Sequence, residues 1–262
     1  MRSKKRLCQL VLAGIAMIAA YGEGGALAEA ADAGMHVDQV GYLTDRSKVA
    51  MVTDTGDTKF SIVDTKSNKV VFTGDLTAAK KDAMSEETLR RADFSALKTP
   101  GTYKLKVGNR ESYDFEIGDN VYAVPAVQTW RSYTLSRSGN PFKDKDVTGL
   151  EIKKGHLQDK KAKVYFSDKF NKKGDIVDVS GGWYDAGDYG KYTTTGALAA
   201  AELMLAYEAH PDHFTKGQLL FPDGVKAEAK LPDVLNEVKY ELNFLKKMQR
   251  KDGSTFHKVA GM

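Results

Sequence analysis

The sequence is short of cysteine, of long apolar runs and of any surplus charge. Its single cysteine is Cys8. That residue precedes the longest apolar run, Leu10 to Ala20, instead of following it, so it stands wrongly for a lipid-anchored cleavage site. Beyond residue 8 the chain has no thiol for a disulfide or for thiolate chemistry, and its stability must come from packed cores. The apolar run falls short of the roughly 20 residues that a bilayer-spanning helix needs. Of 39 basic and 35 acidic residues, four basic and one acidic lie in residues 1–28, which leaves 35 against 34 and a net charge of +1. Nothing in that balance favours nucleic acid, and lysine pairs such as Lys153-Lys154 and Lys172-Lys173 read as solvated surface. Internal repeats, coiled-coil heptads and low-complexity tracts are absent too.

What is present begins with an export signal. Arg2, Lys4, Lys5 and Arg6 precede the apolar run, and Ala26-Leu27-Ala28 supplies a cleavage site, so residues 1–28 read as a secretory signal peptide and the mature chain as extracellular, free of the membrane.

Residues 35–118 alternate in the manner of short strands, at 36–42, 48–53, 59–64, 69–74, 88–94, 102–107 and 113–117. Turn residues separate them at Thr65 to Asn68, Pro100-Gly101 and Gly108-Asn109. Tyr103, Leu105 and Val107 fall on one face, as do Tyr113, Phe115 and Ile117. Seven half-buried strands predict a β-sandwich of immunoglobulin type, without its disulfide and tryptophan. Residues 119–262 predict helices at about 125–136, 193–210 and 233–250, with a long irregular stretch to Val179 that its length marks as functional. The helix from Thr193 is apolar broadly enough (Ala197, Leu198, Ala201, Met204, Leu205) to be packed on more than one side. In the last helix Leu235, Val238, Leu242 and Leu245 form the predicted core face, with Lys239, Glu241, Lys246 and Lys247 toward water.

Chemistry concentrates in "SGGWYDAGDYGKY", residues 180–192. Asp185 and Asp188 lie three apart around Gly187, which brings both carboxylates to one side of a turn. One reading makes them turn or helix caps. The other starts from Trp183, Tyr184, Tyr189 and Tyr192, whose rings offer the flat faces on which pyranose C–H groups stack. Inverting glycoside hydrolysis uses one carboxylate to activate water and a separate acid some 6.5–9.5 Å away. Two acids on one turn cannot fill both roles, so Asp188 is expected as base and Asp185 as second acceptor for the same water. His210 and His213 straddle Pro211 and do not read as a metal pair.

"VSGGWYDAGDYGKY" closely resembles the catalytic aspartate signature of glycoside hydrolase family 9, the inverting cellulases. "VDQVGYLTDRSKVAMV" at 37–52 resembles the start of the cellulase N-terminal immunoglobulin-like domain. "GHLQDKKAKVYF" at 155–166 and "LPDVLNEVKYELNFLKKMQRKDGSTFHKV" at 231–259 resemble the segments that flank the aspartates. The resemblance implies an endo-β-1,4-glucanase acting on cellulose or a related β-glucan, with Asp188 as base, Asp185 holding the water and Trp183, Tyr184, Tyr189 and His257 against the sugar. It also implies an (α/α)6 barrel of which residues 119–262 carry only the first helices. The family's histidine motif and acid glutamate lie downstream; Glu237 matches a helix motif instead, so no proton donor is assigned and little hydrolysis is expected from this chain alone. The alternatives are a glucan-binding fragment without catalysis and an exo-acting glucosidase or glucosaminidase. The chemistry needs no cofactor. Family members often bind structural calcium or zinc, for which no ligands are identified here.

Overall fold

The structure, a computed structural model, describes residues 34–145 and 147–260. The expected export signal and Cys8 lie outside the described residues. The chain divides into two compact units, one ending at Pro125 and one beginning at Ala126.

The first unit is a β-sandwich. One sheet runs β1 (Met35–His36), β2 (Val49–Thr53), β6 (Thr88–Asp93), β5 (Lys80–Lys81). The other runs β4 (Lys69–Asp75), β3 (Lys59–Asp64), β7 (Gly101–Val107), β8 (Arg110–Glu111), and β9 (Phe115–Ile117) pairs with the start of β7. The pairings are antiparallel. Period-two alternation sends Ala50 and Val52, Phe60 and Ile62, Tyr103, Leu105 and Val107, and Phe115 and Ile117 into one core with Tyr42 and Phe94. Rings of Tyr42, Phe94 and Phe115 meet at 5.1–5.4 Å.

Three details differ from the sequence pattern. The strand expected over 36–42 stops at His36, because Asp38 turns the chain: its side chain accepts from the Val40 amide and its carbonyl from Gly41. Gly41, at φ 117°, lies so close to the Glu116 carbonyl that a Cβ there would sit 2.7 Å from it. The short strands β5 and β8 consist of charged residues and carry no alternation to read. Tyr113 is exposed, because the pairing opposite Leu105 is taken by Ser112, whose hydroxyl accepts from the Leu105 amide and whose amide donates to the Leu105 carbonyl.

The second unit contains, among the described residues, helices α1 (Ala123–Leu135, belonging to this unit from Ala126), α2 (Thr193–Ala209) and α3 (Asp233–Met248). The stretch expected to be irregular holds two small ribbons, β10 (Phe142–Asp144) with β11 (Leu150–Ile152) and β12 (Ala162–Lys163) with β13 (Ile176–Val177), around a 3-10 turn at Leu157–Lys161. A third ribbon joins β14 (Lys191–Tyr192) to β15 (Lys258–Val259). No helix among the described residues is long and apolar enough to cross a membrane.

α2 packs through Ala200 and Leu203 and leaves Leu198, Met204 and Leu205 exposed, so among the described residues it is covered on one side instead of several. In α3 the buried stripe is Val234, Glu237, Val238, Glu241, Phe244 and Met248, a different face from the leucine register, and Leu242 is exposed. Glu241, expected toward water, is 1% exposed. Burial of these glutamates follows from what they bind.

Candidate active site

The aspartate motif is held by its flanks. Gly181 and Gly182 have φ of 90° and 80°, and a Cβ on Gly182 would fall 2.5 Å from the Phe244 ring, so the backbone lies against α3 where only glycine fits. From there the chain runs beside the end of α1: Ser138 donates to the Gly182 carbonyl and Tyr184 to the Ser136 carbonyl, both at 2.8 Å. Trp183 points inward. Its amide donates to Glu241 Oε2 at 2.7 Å and its indole Nε1 to Glu237 Oε1 at 2.7 Å. Glu237 also accepts from Thr134 at 2.6 Å and from Arg137, whose guanidinium lies 4.3 Å from the Tyr240 ring centre. With these donors the buried carboxylate is satisfied.

Beyond Trp183 the chain closes into a tight loop. The Asp185 amide donates to the Gly190 carbonyl at 2.8 Å, and Tyr189 sits in the left-handed region at φ 58°. Both aspartates are exposed. Asp185 Oδ1 accepts from the Thr195 hydroxyl at 2.6 Å and Asp188 Oδ1 from the Gly190 amide at 2.9 Å. Each carboxylate is thus oriented by one donor and has its other oxygen outside that bond. After the loop Lys191 turns into the interior, where its Nζ donates to Asp159 Oδ2 at 2.7 Å and to the carbonyls of Val179 and Gly181 at 2.8 Å. Burial pulls the Lys191 pKa down, against the pairing with Asp159. One ammonium therefore ties together both ends of the motif and the 3-10 turn that carries Asp159.

The structure places the expected aromatic residues unequally. Trp183 is 6% exposed, in a core with Ala200, Leu203, Phe214, Val234 and Val238, and its ring lies 4.7 Å from Tyr133. It offers no face to a sugar; its role is to anchor the motif. Tyr184 and Tyr189 meet at 5.0 Å, and His156 completes a triangle with them at 4.9 and 5.5 Å. Tyr189 is 55% exposed, whereas burial raises the Tyr184 phenol above its ordinary range. His257 is exposed beside the motif: its carbonyl accepts from the Thr193 amide at 3.0 Å and its ring stands edge-on to Tyr192. His156 escaped the sequence reading because a lone histidine in a lysine-rich loop carries no periodic signal; its φ of 52° and its place between two tyrosines emerge only in the fold. Glu237 and Glu241 are missed by apolar periodicity, which sends Glu241 to water; the signal that could have found them is their spacing of four on the face that also carries Val234, Val238 and Phe244. Among the described residues no three His, Cys, Asp or Glu side chains gather to hold a metal ion.

Known proteins match both units. Residues 30–112 match the family model of the cellulase N-terminal ig-like domain, and residues 122–262 that of glycosyl hydrolase family 9. A cellodextrinase of Butyrivibrio fibrisolvens is 37% identical over 227 residues, 85% of this chain and 39% of its own length. A xyloglucan-specific endo-beta-1,4-glucanase of Bacteroides ovatus is 31% identical over 228 residues, 86% of this chain and 38% of its own. Among solved structures, the GH family 9 endoglucanase J30 superposes with a TM-score of 0.80 at 47% identity, covering 84% of this chain and 41% of that one. The chain thus spans about 40% of the length of these relatives, and the three α-helices among its described residues are consistent with part of an (α/α)6 barrel.

Proposed function

Since this chain belongs to glycosyl hydrolase family 9, we propose that its second unit carries the water-activating side of an inverting β-1,4-glucan hydrolase, in an exported protein. Asp188 acts as the base that takes a proton from water. Asp185, fixed by Thr195, is the second acceptor that orients the same water. The observation that carries this reading is the loop itself: two exposed carboxylates, each aimed by one hydrogen bond, on a turn closed by Asp185 and Gly190 and anchored through Trp183 and Lys191. Preorganised acceptors of this kind stabilise a developing charge without reorganising during reaction. Tyr189, backed by Tyr184 and His156, is the exposed ring available to stack on a pyranose. His257 borders the same surface.

Inversion also needs a carboxylic acid on the far side of the glycosidic oxygen, and no residue of this chain is assigned to it. A general acid contributes about 10²–10⁴-fold, so the 262 residues alone are expected to hold glucan and to cleave it little. Cosedimentation with cellulose and reducing-sugar release from a soluble cellulose derivative test this. The expected result is retention that weakens several-fold on Tyr189→Ala, with any residual hydrolysis lost on Asp188→Ala. No retention would sink the glucan reading, and hydrolysis that survived Asp188→Ala would remove the base from that position.

A further inference from the structure

The geometry points to Glu237 and Glu241 as positioning residues that set the place of the aspartate loop through Trp183. Successive turns of α3 present these carboxylates to one residue: Glu237 takes the indole N–H and Glu241 the backbone N–H, each at 2.7 Å. Trp183 is two residues before Asp185, and no rotation about a side-chain bond separates its amide from the loop. A shift of that amide therefore carries the loop with it. Glu241 Oε1 is pressed on the other side against Gly196 of α2, so closely that a Cβ there would collide with it. The carboxylate is thereby wedged between the motif and the helix that supplies Thr195, the hydroxyl that aims Asp185.

The charged and titratable surroundings of Glu241 are few. Lys191 on β14 faces it, itself bonded to Asp159 and near Lys247; Glu237 lies one turn away, already paired with Arg137; α2 presents uncharged Gly196; and the Tyr240 phenol, pushed up to about 12, stays neutral. Burial raises Glu241 to about 7, opposed by the Trp183 amide bond and Lys191. Protonation weakens it as an acceptor, so the grip on the Trp183 amide loosens as pH falls through this range.

This inference rests on the aspartates being catalytic, and its test separates the two. Amide nitrogen–proton spectra of the whole chain, followed from pH 5 to 8.5, are expected to show Trp183 and the amides of residues 185–190 moving together with a midpoint near 7, while Leu105 in the sandwich stays still. In Glu241→Gln, which keeps an acceptor oxygen but cannot ionise, the shared step is lost. It persists in His156→Gln, the control for the histidine that touches Tyr184 and Tyr189. A step that survives Glu241→Gln, or a Trp183 response without one in residues 185–190, overturns the inference. Adding cellotetraose tests the other premise: if it leaves Asp185 and Asp188 unmoved while the pH step stands as expected, the glucan reading fails and the clamp remains.

Discussion

The two units solve burial in opposite ways. In the sandwich the buried polar side chains are Lys48 and Ser112, and Lys48 spends its ammonium on the carbonyls of Leu43, Thr44 and Arg46 within one turn. The helical unit buries Arg131, Arg137, Asp144, Asp159, Lys191, Asp233, Asn236, Glu237 and Glu241. Apolar packing is tolerant of direction, whereas a buried charge costs several kcal/mol unless its partners stand where its lone pairs or protons point. The charged interior therefore contributes less to stability than to fixing where backbone lies: Arg131 and Asp233 fix residues 217–220, while Glu237, Glu241, Lys191 and Asp159 fix the aspartate motif.

The difference is largest where one partner of a buried pair is removed. Arg131 forks onto both oxygens of Asp144 at 2.7 Å and donates to the carbonyls of Leu219 and Leu220. Arg131→Met leaves that buried carboxylate without its guanidinium, with the Thr148 hydroxyl as a remaining donor, and is expected to cost the second unit about 3–5 kcal/mol, with much of the loss recovered in the double variant that adds Asp144→Leu. Trp130 and Trp183, the only tryptophans, both belong to this unit, so urea unfolding followed by tryptophan fluorescence reads it selectively. If the double variant were as unstable as the single one, the charges would be doing more than satisfying each other.

In the sandwich the corresponding break is a cavity. Leu105→Ala removes a fully buried side chain and is expected to cost about 2–5 kcal/mol. Hydrogen exchange at strands β3 and β7 should quicken. An unchanged rate would mean that the apolar core is not what holds this unit.

The mildest contrast is in pH. In the sandwich, side-chain and backbone hydrogen bonds hold Asp64, Asp82 and Asp93 below the usual carboxylate range, and Arg90 does so for Asp54. Their contribution is present above pH 4 and lost as pH falls, so this unit should be flat between pH 5 and 8. Glu241 has the opposite sign. Its folded value near 7 lies above the ordinary 4.5, so the folded state binds the extra proton between them and stability declines as pH rises through that window. Comparing exchange at Leu105 and Val238 at pH 5 and pH 8 reads both; a flat response at Val238, or a decline there that survives Glu241→Gln, would remove Glu241 as the cause.

The same contrast decides what could be read from sequence. The strand with the longest period-two set, Tyr103-Leu105-Val107, appears where alternation puts it, and Phe115 and Ile117 follow suit although Tyr113 does not. Strands made of charged residues, β5 and β8, do not announce themselves, because their pairing is set by backbone neighbours. Helix positions in the second unit were legible within a few residues, yet the buried face of α3 was not. An apolar periodicity rule assigns glutamate to water, and here it meets a tryptophan and an arginine that arrive from residues 54 to 100 positions away. The aspartates could be singled out from Gly, Asp and aromatic spacing alone. The residues that aim them, Thr195, Gly190 and the Trp183 anchor, needed the fold.

Gly182 takes part in no proton transfer and touches no sugar, yet Phe244 occupies the space its side chain would need. A lineage in which the aspartates had lost their use would still be confined to glycine there for as long as that phenylalanine stayed. What limits substitution at this position is how one helix sits on one loop, a constraint separate from the chemistry of the carboxylates.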